Sequence, residues 1–199
     1  MAGDAGDWRE QGRHRRRVAD QARLLGREPL SDPVRAVAAL SVVLWLGVMV
    51  WLAVSLPDRV PTHWSTSPLA DGWSSKPAAL ALLIGLPLVT FLPIPLLSRL
   101  MLSLPDLVNA PYKDWWLGTP QRLVRFERLL REDLWLITGA SLLLMAAIGL
   151  IIGQAATTPG GQADPWWMWA TIVGYLAVIG LIVARMLAGR RYRPPGSLD

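Results

Sequence analysis

VRAVAALSVVLWLGVMVWLAVSL, residues 34–56, decides how this chain is built. A bilayer crossing needs about 20 mostly apolar residues, and this run has that length with a single charge, Arg35, at one end. Ala53 and Ser55 near its end imitate a signal-peptidase site. The apolar run is nevertheless longer than an ordinary signal core, and an arginine-rich tail of more than thirty residues precedes it. It reads as a retained span.

Three more segments have the same character, at 77–103, 134–154 and 166–188, so the expected fold is all-α, a polytopic membrane protein of four transmembrane helices. The domain boundaries expected are a basic tail 1–32, a membrane domain 33–188 and a second tail 189–199. Composition agrees: 52% of the residues are hydrophobic and mean hydropathy is +0.33. With no cysteine, disulfides, thiolate catalysis and cysteine-bound zinc or iron–sulfur clusters are excluded.

The net charge of +5 invites a nucleic-acid reading, but the basic residues flank apolar runs rather than form one patch, and no nucleic-acid partner is expected. Arg9, Arg13, Arg15, Arg16, Arg17, Arg23 and Arg27 precede the first span. Lys113, Arg122, Arg125, Arg128 and Arg131 lie between the second and third, and Arg190, Arg191 and Arg193 follow the fourth. Segment 57–76 carries only Arg59 and Lys76, and 155–165 carries no basic residue. By the positive-inside rule both termini are cytoplasmic. The spans lack a central Asp, Glu, Lys or His, which argues against a lone ion-coupled carrier. Trp64, Trp73, Trp166, Trp167 and Trp169 on one side, and Trp115, Trp116 and Trp135 on the other, fit aromatic belts.

The second span contains Pro87, Pro93 and Pro95. Each removes a backbone donor and crowds the preceding turn, so Pro87, about 15 Å into the helix from Pro77, marks a kink or a candidate hinge. The linker 119–133 reads as an amphipathic surface helix. Thr119 caps it, Pro120 occupies its first turn, and Leu123, Phe126, Leu129 and Leu130 share a face. Arg125, Arg128 and Arg131 are expected to point away from that face, with Glu127–Arg131 an i,i+4 pair. The run Arg13-His14-Arg15-Arg16-Arg17 reads as a disordered polybasic tail attracted to anionic lipid at the cytoplasmic face.

Between the first two spans lies LPDRVPTHWSTSPLADGWSSK, residues 56–76. Pro57, Pro61 and Pro68 bias the residues before them to extended backbone, so the segment is a stiff non-helical loop. Asp71-Gly72 signals a turn, Ser74 or Ser75 can cap the second span, and Lys76 can reach lipid phosphates. His63 is proton-responsive chemistry by type, but with Asp58 and Asp71 it makes an incomplete zinc set. A hydrogen-bonded loop staple is the expected role, and no cofactor or enzymatic activity is expected.

Leu56, Pro57, Val60, Pro61 and His63, followed by Asp71, Gly72, Trp73 and Lys76, resemble the signature of the DUF1648 family of bacterial membrane proteins. Asn109, Pro111, Lys113, Asp114, Trp116 and Arg122 resemble a second, cytosolic stretch of that family. Pro68 stands where the family usually has glycine, and an extra residue falls near Gly118-Thr119. The resemblance implies an inner-membrane protein related to the immunity and signalling protein for the sporulation-delaying toxin, with a protein or peptide partner at the outer loop. An accessory subunit of a transporter or membrane enzyme is the alternative.

Overall fold

The computed structural model describes residues 4–107, 109–188 and 191–194. Arg190 and most of the tail 189–199 lie outside the described residues. In chain order the elements are α1 (Asp4–Leu24), α2 (Asp32–Ser55), β1 (Arg59–His63), β2 (Gly72–Ser75), α3 (Lys76–Thr90), α4 (Ile94–Leu97), α5 (Lys113–Trp116), α6 (Pro120–Ala156) and α7 (Pro165–Leu187). Helices in the ranges 32–55, 76–100, 120–156 and 165–187 are long and apolar enough to cross a membrane. The chain is a multi-pass membrane protein.

Two compact units share these elements, one made of 33–94 and 135–182, the other of 1–32, 95–134 and 183–199. In the first, α2 buries Val34, Ala38, Ser41, Trp45, Met49 and Leu52, a stripe at i, i+3 and i+4 spacing. Its other faces expose Leu40, Val43, Leu46, Val50 and Val54. Such a surface is an aggregation liability in water and an ordinary one in lipid. From α3, Ala79 and Leu83 join the same core, and α6 adds Leu142, Met145, Ala146 and Ile152.

Small residues let α6 approach α2. A Cβ on Gly139 would fall 2.9 Å from Ser41 Oγ, one on Gly149 2.9 Å from Leu52 Cδ1, and one on Gly153 2.6 Å from the Trp51 ring. Gly149 and Gly153 form the GxxxG spacing that allows close helix contact in membranes, where packing rather than the hydrophobic effect drives association. Helix α7 buries no residue, though Tyr175 hydroxyl and Ser141 Oγ lie 3.2 Å apart.

The second span differs from expectation in where it breaks. Helix α3 runs through the buried Pro87 to Thr90, and the irregularity falls at 91–93, before α4 begins. There Pro87 carbonyl accepts from both Phe91 N (3.0 Å) and Leu92 N (3.1 Å), and Thr138 Oγ1 donates to Phe91 carbonyl at 3.1 Å. Pro93 and Pro95 cannot donate, which explains why helical pairing fails just ahead of them. Helix α6 absorbs both the linker 119–133 and the third span as one uninterrupted helix. Thr119 Oγ1 accepts from Arg122 N at 3.4 Å, as a cap does.

The second unit corrects the reading of the tail as disordered. Residues 4–24 form α1, which buries Val18, Ala19 and Ala22 in a core with Leu102, Trp116, Leu117, Leu123, Val124, Phe126 and Tyr192. Apolar partners at consecutive turns give this segment the buried surface that its charged composition hides.

Candidate functional site

Segment 56–76 is a β-hairpin, an element the all-helical expectation did not include. Strands β1 and β2 pair antiparallel, with Arg59 opposite Ser75, Val60 opposite Ser74, Pro61 opposite Trp73 and His63 opposite Gly72. The register shifts between Pro61 and His63, so Thr62 is the extra residue of a bulge. The bulge follows Pro61, which has no amide to give the ladder.

Much of the motif serves this geometry. Leu56 and Val60 are in the helical core, and Pro61 is buried. Gly72 is required because a Cβ there would fall 2.6 Å from His63 Cβ. Lys76 does not reach for lipid phosphate: its Nζ donates to Leu56 carbonyl at 2.9 Å, closing the exposed end of α2, while its amide donates to Asp58 carbonyl at 3.0 Å. Ser75 caps α3, accepting from Ala78 N at 3.4 Å, and Pro77 lies in the first turn. Pro57 is exposed at the exit from α2.

The hairpin tip brings the predicted pair together. His63 Nδ1 and Asp71 Oδ1 lie 2.5 Å apart, and Ser65 Oγ donates to Asp71 Oδ2 at 2.5 Å. Both side chains of the His63–Asp71 pair are substantially exposed, at 69% and 44%. These hydrogen bonds, first from Ser65 and then from His63, hold the Asp71 carboxyl below its ordinary pKa. An ionised carboxylate only accepts, so His63 donates from Nδ1 and presents Nε2 outward. Ser65 was not foreseen as part of the site.

Because the folded-state pKa of Asp71 is depressed, its contribution is present above the unfolded value and is lost as pH falls through the folded one. The hairpin tip is therefore expected to hold from neutral pH down to roughly pH 4, and to open to protease progressively below that. Limited proteolysis with an acid-active protease, compared between wild type and Asp71→Asn, checks this. Once rates are normalised to the protease's own activity at each pH, the variant should lack this acid-dependent rise in cleavage.

A second loop locks the tip. Trp64 Nε1 donates to Gly161 carbonyl at 2.8 Å, Ala70 N to Gly160 carbonyl at 3.1 Å, and Ala163 N to Pro68 carbonyl at 3.0 Å. Gly160 and Gly161 have φ of 68° and 65°, a region costly for other residues. A Cβ on Gly161 would also fall 2.8 Å from Pro61 Cβ. The short turn 155–165, unremarkable as sequence, is thus half of the site. Arg59 lies over the Trp73 ring at 4.9 Å, within cation–π reach.

The second motif is structural where it is placed. Trp116 is buried, and its Nε1 donates to Tyr192 carbonyl at 3.0 Å. Asp114 pairs with Arg15 at 2.9 Å, and Lys113 Nζ donates to Asp106 carbonyl at 3.0 Å. Arg122 lies over the Trp115 ring at 4.3 Å. Tyr112 takes φ of 59° just before α5, while Asn109 and Pro111 are exposed. Beside this motif, Tyr192 hydroxyl donates to Asp133 Oδ2 at 2.7 Å; burial first, and then that hydrogen bond, pushes the phenol pKa up.

Near it lies an ionic cluster that corrects the outward placement of the linker arginines. Arg131 is only 6% exposed and grips Glu127, at 0%, through Oε1 (3.1 Å) and Oε2 (3.0 Å). Arg125 and Arg128 both hold Glu28, at 2.7 and 3.2 Å, and Arg191 holds Glu132 at 2.7 Å. Acidic residues scattered among the arginines were the available signal.

Residues 40–90 match a family model, the domain of unknown function DUF1648. The matched stretch takes in the later part of α2, the hairpin and α3, and stops short of the second motif. No curated protein and no solved structure matches the chain. With its signature residues folded into one hairpin between two membrane-length helices, this chain is a DUF1648-domain membrane protein.

Proposed function

We propose that this is a non-enzymatic protein of a bacterial inner membrane, with both termini cytoplasmic and the 56–76 hairpin facing outward as a recognition surface for immunity, sensing or signalling. The asymmetry of basic residues supports the orientation. One observation carries the functional reading: after the motif residues that build the fold are set aside, His63, Ser65 and Asp71 remain exposed on a tip braced by the 160–163 turn. A braced surface loses little conformational freedom when a partner binds.

A second reading, an accessory subunit of a transporter or membrane enzyme, is favoured by α7, which buries none of its residues and so leaves a whole helix for another subunit. Replacing 62–70 by a Gly/Ser linker separates the two. The recognition reading expects loss of any protective or signalling phenotype at unchanged expression, with Pro87→Ala nearly silent. Full activity of the loop-swapped protein, with co-purification of a subunit lost on altering α7, would favour the second reading.

A further inference from the structure

Beside the hairpin tip runs a groove of about 290 Å³, floored by residues 64–68 and walled by the first turns of α7. Its two walls differ in chemistry. Ser65, Thr66 and Ser67 give three successive hydroxyls on the loop side, and Met168, Trp169 and Ile172 form an apolar wall on the α7 side. Trp64, itself lining the groove, is fixed by its bond to Gly161 carbonyl. The wall belongs to a helix with no buried residue and the composition of a membrane span.

The loop side adjoins a carboxylate. Ser65 leads directly to Asp71, whose partners are a hydroxyl and an imidazole, with no lysine or arginine paired to it among the described residues. The nearby cations are engaged elsewhere, Arg59 over Trp73 and Lys76 on Leu56 carbonyl.

We propose that this groove seats a phospholipid with a primary-amine headgroup. The ammonium would sit against Asp71 and the exposed indole of Trp169, which offer charge and a π face. The hydroxyls of Thr66 and Ser67 would donate to the phosphate, and an acyl chain would follow Met168 and Ile172 along α7. An anionic headgroup fits poorly, since the Asp71 carboxylate would repel it. The proposal rests on the membrane placement of α7 but not on which side the hairpin faces, and it holds whether or not the hairpin recognises a protein partner.

The test uses the full-length chain, delipidated in detergent, with lipid retention read by native mass spectrometry. Phosphatidylethanolamine, phosphatidylglycerol of the same acyl chains and chain-free glycerophosphoethanolamine are offered separately. One phosphatidylethanolamine should be retained per chain, several-fold more than phosphatidylglycerol, and the chain-free headgroup should not be retained. Met168→Trp, which fills the groove on an exposed helix face, should cut retention several-fold while the unfolding temperature without lipid stays put. Thr66→Val, at a residue outside the His63–Asp71–Ser65 cluster, should weaken it less. Equal retention of both phospholipids, retention of the bare headgroup, or retention unchanged in Met168→Trp overturns the proposal. Loss of the hairpin phenotype is a separate readout, so a failed recognition reading leaves this result standing.

Discussion

Glu127→Ala should be the most destabilising single change in the unit that contains it, costing about 3–5 kcal/mol. Glu127 is fully buried and accepts from Arg131 through both oxygens, from Arg27 Nη2 at 3.2 Å and from Ser98 Oγ at 2.8 Å. Truncation leaves Arg131, itself almost wholly buried, as a charge without its carboxylate, and the penalty is mostly that of the stranded charge. Glu127→Gln keeps acceptors for Ser98 and one arginine contact, and should lose less. Thermal unfolding of the purified protein in detergent measures both. By contrast, an exposed pair such as Arg13–Glu10, at 3.9 Å, should contribute under about 1 kcal/mol. Similar losses from Glu127→Ala and Glu10→Ala would contradict the buried-cluster account.

Gly149→Leu should come next. The new Cβ would lie 2.9 Å from Leu52 Cδ1 and 3.2 Å from Met49 Cε, and both neighbours are buried in the α2 stripe. Overpacking of this kind costs about 1–3 kcal/mol, and here it also forces α2 and α6 apart. The control is Gly180→Leu, on α7, where a Cβ meets nothing within 4 Å. That variant should be neutral or slightly stabilising, because leucine is the better helix former. A drop in unfolding temperature for Gly180→Leu as large as for Gly149→Leu would remove the close-approach argument.

How much of this was legible beforehand depended on the kind of signal. Apolar runs near bilayer length announce themselves, so the span-like helices match closely, as do the Thr119 and Ser75 caps and the His63–Asp71 pair. The hairpin was hidden because Pro57, Pro61 and Pro68 interrupt the alternation that marks strands, and because its connection is longer than a tight turn. The bracing turn was hidden because Gly160-Gly161 acts through backbone carbonyls, which carry no side-chain signature. The breadth of the apolar face around α1 and the ionic cluster were masked by arginine. A run such as Arg13–Arg17 has the same composition whether it is solvated or, like Arg15, tied to Asp114. Three-dimensional pairing decides, and periodicity over a single helix does not contain it.

The topology on which the recognition reading stands can be measured in intact cells, since the native chain contributes no thiol background. Cysteines placed singly at Ser65, Gln162 and Gln121 are exposed to a membrane-impermeant maleimide. Ser65 and Gln162 lie on the hairpin tip and its bracing turn, and the account predicts that both label in intact cells. Gln121, at the start of α6, should label only after the membrane is permeabilised. Labelling of Gln121→Cys in intact cells, with Ser65→Cys protected, would contradict the account.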